Sequence, residues 1–421
     1  LIKILRSLRD IGNTVIVVEH DEDIMKAADL VIDMGPMAGI QGGQVMFHGT
    51  HEQIQKEKES LTAKYLNGDL SIDIPQKRTW TDSLKIKGAR HHNLKNIDVT
   101  IPLNVLTVVS GISGSGKSTL IKTIFYPALV KALGGYGPKA GQFDSLSGAV
   151  KNISSVEFID QNPIGKSSRS NPVTYIKAYD EIRALFAKQT LSKTRGFKTK
   201  HFSFNTQGGR CDHCQGEGEV TIEMQFMADV HLKCEHCQGK RFKDEVREVK
   251  FNDKNISDIL EMTIDEAISF FEKWEQAKIS KRLQPLQDVG LGYINLGQSS
   301  STLSGGEAQR VKLASFLGKG KSQGQHFFIF DEPTTGLHFH DIKKLLQSFN
   351  ALIENGHTIL VIEHNPDVIK CADWLIDLGK EGGKKGGQLI FEGVPEDIIN
   401  CVESSTGLFL QEKFNPVQLT N

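Results

Sequence analysis

At 421 residues, with 38% hydrophobic and 24% charged side chains, the chain has apolar material for two to three packed domains and too much for a disordered polymer. Fifty Lys and Arg balance 51 Asp and Glu to a formal charge of −1, so a basic surface for nucleic acid has to be local. The most apolar runs, Thr14–Val18 and Thr358–Ile362, are strand-length and too short for a membrane helix; with no leader-like start, the expectation is a cytoplasmic piece of something longer.

The first elements in the chain recur later. Gly12 to Gly49 matches Gly356 to Gly393 at an offset of 344 residues, ungapped, with 18 of 38 positions identical. Both copies read as a helix, a buried strand ending in Glu-His, a helix, an Asp-containing strand, a glycine turn and a last short strand. Residues 1–50 are therefore expected to be the end of one α/β domain, with a fuller copy downstream. Residues 51–83 are polar and mixed in charge and read as a linker. A core begins near Leu84, where Lys85–Pro102 reads as a hairpin and Val105–Ser110 as a buried parallel strand.

That strand runs into Gly111-Ile112-Ser113-Gly114-Ser115-Gly116-Lys117-Ser118-Thr119, which fits G-x-x-x-x-G-K-[ST] between a strand and an apolar helical run. Such a loop turns its N–H groups toward phosphates, places a lysine on the β/γ oxygens and offers a hydroxyl to Mg²⁺. From 162 to 288 the composition turns basic, glycine-rich and then helical, an insertion in an α/β domain that spans 84–161 and 289–421. Arg183 to Arg210 contains no acidic residue, and carries Lys193, Arg195, Lys198 and Lys200 with phenylalanines interleaved. Lys166 and Arg169 lie just upstream. This segregation suits a DNA-phosphate surface, or else a solvated face whose phenylalanines are local core.

Cys211, Cys214, Cys234 and Cys237 form C-x2-C-x19-C-x2-C, and both pairs continue with Gln-Gly. Four thiolates at this spacing make a closed tetrahedral Zn²⁺ site the expectation, against a redox pair or stray cysteines. Cys371 and Cys401 stand alone. Downstream, Phe327–Phe330 delivers Asp331 and Glu332 at a strand end: Asp331 is placed for Mg²⁺, Glu332 for orienting or deprotonating a water. Thr358–Ile362 likewise ends in Glu363-His364, where His364 is a candidate γ-phosphate switch.

Leu303-Ser304-Gly305-Gly306-Glu307-Ala308-Gln309 resembles the signature of ATP-binding-cassette (ABC) ATPases, with Glu at the fifth position. Asp331-Glu332, a D-loop-like Thr335-Gly336-Leu337 and His364 follow in that family's order, and Gln161 resembles its Q-loop glutamine. One departure is that Lys85–His92 shows no aromatic residue for an adenine. A cassette with a cysteine module between Gln161 and the signature resembles the UvrA family of excision-repair ATPases, C-terminal half, through strings such as IDQNPIGKSSRSNPVTY and DEPTTGLHFHDI. The resemblance implies a tandem-cassette, ABC-type P-loop α/β ATPase hydrolysing ATP with Mg²⁺. It also implies binding to double-stranded damaged DNA, a homodimer with a second copy, loading of UvrB, and no membrane partner. Two nearer alternatives are a transporter's nucleotide-binding subunit, which gives no reason for the cysteine module, and a UvrA-like paralogue serving drug resistance or another DNA transaction. A ribosomal-RNA-binding cassette is a third, and the cysteine insertion argues against it.

Overall fold

The structure is a computed structural model that describes residues 1–421 except 38, 40, 41, 166–168, 223, 225, 227, 228, 319–323 and 415–421. The chain divides into two compact units, Leu1–Asp160 with Gly320–Asn421, and Gln161–Lys319. No helix among the described residues is long and apolar enough to cross a membrane.

The first unit is built on a six-stranded sheet. Its strands are β1 (Leu106–Gly111), β2 (Ile153–Ile159), β3 (Gln325–Asp331), β4 (Thr358–Ile362), β5 (Trp374–Gly379) and β6 (Gln388–Gly393), in the order β6-β5-β1-β4-β3-β2. All neighbours are parallel except β5 and β6. The continuous apolar runs behave as strands covered on both faces should: every residue of β1 and β4 is buried. Helix Phe339–Glu354 covers part of the sheet with Ile342, Leu345, Leu346, Phe349, Leu352 and Ile353, a one-sided helical stripe. Strands Ser83–Ala89 and Ile97–Pro102 form the expected hairpin, joined by Ser145–Gly148.

The two copies of the repeat fold unequally. Thr14–Val18, expected as a buried strand, has no regular secondary structure, and Ile16 and Val18 are 85% and 92% exposed. Their counterparts Leu360 and Ile362 are buried in β4, hydrogen-bonded between β1 and β3. Among the described residues no strand flanks 14–18, and a lone strand has no partners for its N–H and C=O groups.

Beyond that point the copies agree, and further than the sequence match reached. Val31–Gly35 pairs with Gln44–Gly49 as β5 pairs with β6, with the register break after Asp33 and after Asp377. Asp33 accepts the hydroxyls of Ser60 (2.6 Å) and Thr62 (2.7 Å); Asp377 accepts those of Ser404 (2.6 Å) and Thr406 (2.8 Å). All three residues keep the 344-residue offset, so the duplication continues to at least Thr62 and Thr406. The segment expected as a linker accordingly holds helices His51–Ile54 and Leu61–Leu66, and Ile54 and Ala63 share a small core with Val31. Its remainder is tied to the sheet: Arg78 pairs with buried Asp373 at 3.0 Å, and Asp373 also accepts the Leu106 N–H that opens β1.

The second unit is helical around a phenylalanine core. Phe186, Phe202, Phe204, Phe242 and Phe271 are fully buried. Helices Ile264–Lys273 and Gly305–Leu317 each start at a reciprocal capping box, Thr263 with Glu266 and Ser304 with Glu307. The unit continues past residue 288 through the Gly305–Leu317 helix.

Asp377 also accepts from Ser110 of β1 at 2.6 Å, so one carboxylate that is 2% exposed ties the strand before the glycine loop to the C-terminal segment. Asp377→Ala strands three hydroxyls and is expected to lower the unfolding free energy of this unit by about 3–4 kcal/mol. Asp33→Ala, in the half-buried copy, should cost only about 1–2 kcal/mol. Denaturant titration of the two variants checks the ranking.

Candidate functional site

Ligands of open α/β sheets sit at the carboxyl ends of the strands, and here β1, β3 and β4 end side by side. From β1 the chain enters the Gly111–Ser118 loop. A Cβ on Gly111 would lie 2.0 Å from the Leu378 carbonyl oxygen, and its φ is +128°, so only glycine lets β1 turn there. The loop opens onto a cleft of about 590 Å³ lined by His92, Asn93, Lys117, Ser118, Glu332 and His364 among others. Lys117 Nζ donates to the carbonyls of Gly111 (2.8 Å) and Ile112 (3.0 Å). Burial lowers its pKa, and the charges of Glu332, Asp377 and Asp331 pull the other way.

Asp331 and Glu332 leave the end of β3. Burial raises the Asp331 pKa, and the neighbouring Glu332 charge raises it further. A carboxylate so placed fits a divalent cation, whose charge would favour the ionised form of Asp331. Glu332 sits at φ +46°, with its N–H donating to the Ile362 carbonyl of β4 at 2.9 Å. His364 Nε2 lies 3.6 Å from Glu332 Oε1. Burial, then Lys117, lowers the His364 pKa, which favours the neutral imidazole.

Sequence reasoning passed over Glu363. It is 3% exposed and accepts four bonds: from the Thr334 N–H (3.0 Å), the Thr334 hydroxyl, the His364 N–H (2.5 Å) and the Asn365 N–H (2.9 Å). One carboxylate thereby holds both the turn after Glu332 and the loop bearing His364. The available signal was the repeat, which keeps Glu19-His20 alongside Glu363-His364. His92 was passed over too: it lines the cleft, with its ring 4.1 Å from that of His91 and tilted 36° to it.

Gln161 and the signature residues lie in the second unit. Ser304 caps the Gly305–Leu317 helix, Glu307 returns a bond to the Ser304 N–H (2.8 Å), and Tyr293 donates its hydroxyl to Glu307 at 2.5 Å. The Glu at the fifth signature position is thus the partner in a capping box. Gln309 is buried one turn on. A Cβ on Gly305 would fall 2.9 Å from Gln161 Cβ, so Gln161 packs directly on the start of this helix, beside Leu303 and Gly306 in sequence.

The sulfurs of Cys211, Cys214, Cys234 and Cys237 all lie within 4.8 Å of one another, with Cys214 and Cys237 3.6 Å apart. A tetrahedron with Zn–S near ~2.3 Å needs S···S of roughly 3.8 Å, so the cluster is of the right size. Gln215 and Gln238 share φ +51°, so the two knuckles turn alike, and the Gly218 N–H donates to Cys214 Sγ at 3.3 Å. Burial pushes the Cys237 thiol up to about 12, an environment in which a thiolate needs a cation.

The basic candidates separate. Arg169 pairs with Glu217 at 3.4 Å; Arg195 pairs with Glu248 and donates to the Glu245 carbonyl at 2.9 Å. An acid-free stretch of sequence is therefore partly neutralised by acids from elsewhere in the fold. Lys193, Lys198 and Lys200 are exposed and make no ion pair among the described residues; Lys166 lies outside them. Phe186, Phe202 and Phe204 are core, with Phe204 stacked on Tyr179 at 5.0 Å.

The family description "ABC transporter" matches residues 143–335. UvrABC system protein A of Staphylococcus aureus (strain COL) is 51% identical over 414 residues, 98% of this chain and 43% of the relative. The same-named protein of Staphylococcus epidermidis (strain ATCC 35984) is 52% identical over 413 residues, with the same shares. The chain thus spans less than half the length of these curated relatives. The solved structure of UvrA2 from Deinococcus radiodurans superposes with a TM-score of 0.91 at 40% identity, covering 97% of this chain and 49% of that one.

Proposed function

We propose, for a chain that belongs with the UvrABC system protein A relatives over 98% of its length and has the ABC-type α/β ATPase fold, that it is the ATP-hydrolysing, DNA-binding part of an excision-repair ATPase. The observation that carries this is the convergence of Lys117, Glu332 and His364 on one cleft at the ends of adjacent parallel strands. In this reading residues 1–50, with the continuation of the repeat to Thr62, end a first cassette, the rest of 51–83 leads on from it, and 84–161 with 289–421 form the second, with the insertion 162–288 between. The N–H groups of Gly111–Thr119 and the Lys117 ammonium hold the phosphates of ATP. Ser118 and Asp331 would hold Mg²⁺, which neutralises phosphate charge when bound. Glu332 orients a water and accepts its proton; neutral His364 hydrogen-bonds at the terminal phosphate, and Glu363 fixes both positions. Gln161, packed on the start of the signature helix, would take the part of the Q-loop glutamine, and Leu303–Gln309 would offer a second phosphate surface to another cassette. The whole protein would recognise damaged double-stranded DNA as a homodimer and load UvrB.

Lys117→Ala is expected to abolish ATP binding, while Glu332→Gln keeps binding and slows single-turnover hydrolysis by 100-fold or more, on the order expected for losing a general base. Nucleotide binding and single-turnover rates in the intact protein check this; fast turnover by Glu332→Gln would remove the base from Glu332.

Cys211, Cys214, Cys234 and Cys237 would hold one structural Zn²⁺. Elemental analysis should find one zinc per chain, lost in Cys237→Ser. Stripping it should unfold the knuckles and leave the sheet unit intact, since such sites contribute roughly 10–16 kcal/mol of apparent binding energy.

Lys193, Lys198 and Lys200, with Lys166 and the part-engaged Arg169 and Arg195, would face DNA phosphates. Neutralising Lys193, Lys198 and Lys200 together should flatten log K against log salt by up to ~2.7, at about 0.9 per contact. An unchanged slope would make this a solvated face.

A further inference from the structure

The loop between β5 and β6 belongs to no element of the nucleotide site read from the sequence, yet it is built against the phosphate loop. The Gly383 N–H donates to the Gly114 carbonyl and the Gly387 N–H to the Ser115 carbonyl, both at 3.0 Å. Asn93 Nδ2 bridges the Gly114 carbonyl (2.9 Å) and the Gly383 carbonyl (3.1 Å), and the Lys95 N–H reaches the Gly387 carbonyl at 2.8 Å. The approach is as close as backbone allows: a Cβ would lie 1.9 Å from the Asn93 oxygen at Gly387, and 3.2 Å from Ser115 Cα at Gly386. A phosphate loop works through its N–H groups. Because a trans peptide points its C=O and N–H in opposite directions, engaging the Ser115 carbonyl on the glycine loop sends the Gly116 N–H the other way, and Gly116 lines the cleft.

The turn Gly383–Lys385 also carries two lysines, and they differ. Lys385 is paired with Glu381 at 3.3 Å. Lys384 makes no ion pair among the described residues and lines the nucleotide cleft together with Gly383, Lys117 and Ser113. The repeat separates the two functions of this loop. At the 344-residue offset the first copy keeps glycine at 39, 42 and 43, but has Ile40 and Gln41 where the second has Lys384 and Lys385. The glycines at these positions are common to both copies in sequence, and the lysines belong to the second copy alone.

We propose that the Gly382–Gly387 loop is a second wall of the nucleotide site, and that Lys384 is a phosphate-binding residue adding a second ammonium to the one supplied by Lys117. The inference rests on the ATP-binding reading above. Lys384 lines the same cleft as Gly116, Lys117 and Ser118, so its ammonium would donate to a phosphate oxygen from the exposed turn. A lysine on this turn acts as a point charge, so arginine serves there as well.

The test is calorimetric titration of the intact chain with MgATP and MgADP. Lys384→Ala should weaken both by roughly ten-fold, the effect of losing one charge-assisted hydrogen bond at a solvent-open site, and should make binding less dependent on salt. Lys384→Arg should restore affinity, and Lys385→Ala should bind as the wild type does. Wild-type affinity in Lys384→Ala, with binding lost in Lys117→Ala, would overturn the role of Lys384 and leave the nucleotide site standing. Equal weakening by Lys385→Ala would also overturn it, as a general field effect. No nucleotide binding by the wild-type chain, or unaltered binding by Lys117→Ala, would remove the ATP-binding reading itself, and this inference with it.

Discussion

A parallel strand cannot close its own hydrogen bonds with a hairpin, so it exists only where other strands flank it. The arrangement of the first unit follows from that requirement. β1 lies between β5 and β4, and β4 between β1 and β3, and every residue of β1 and β4 is buried. Because these strands are parallel, the Gly111–Ser118 loop, Asp331-Glu332 and Glu363-His364 all emerge at one edge. The same requirement explains why Thr14–Val18, as aliphatic as its counterpart β4, is exposed and without strand structure, since no strand flanks it among the described residues.

Given that frame, three buried carboxylates tie strand ends and starts to the segments around them. Asp377 joins β1 to the C-terminal segment, Asp373 joins the start of β1 to Arg78, and Glu363 joins the turn after β3 to the loop after β4. Each accepts several bonds, as a buried charge must if it is not to cost several kcal/mol. Glu332 can therefore hold φ +46° because its neighbours on both sides are fixed. Lys117 and Asp331 have pKa values moved by burial in opposite directions, each toward neutrality. A polyphosphate with a divalent cation would restore both charges.

The second unit shows two ways in which composition and structure diverge. Two of the six candidate cations are engaged by Glu217 and Glu248, so the candidates that are exposed and make no ion pair among the described residues are Lys193, Lys198 and Lys200. Phe186, Phe202 and Phe204 of the basic stretch go to the core, where apolar area is worth most, while Phe197 is half-buried. Glu307 fills the capping role its position in the helix demands, which accounts for an acid in the signature without invoking any chemistry.

Local chemistry was legible in the sequence by itself. The glycine-lysine loop, the strand-end Asp331-Glu332 and the four-cysteine spacing depend on residues close together in the chain, and spacing specifies them. So does the duplication, at least as far as side chains repeat. Tertiary structure decided where the strand pattern is realised among the described residues, because β4 finds β1 and β3 beside it, β1 from hundreds of residues away, and 14–18 has no flanking strand there. It also decided that the repeat runs on to Thr62 and Thr406, since two hydroxyls and a carboxylate can keep one geometry while the intervening residues diverge. The partners of Glu363, Arg195 and Gly387 were likewise invisible from sequence. Hydrogen bonds and ion pairs are set by distances of about 3 Å, and no pattern along one chain encodes which distant group will come that near.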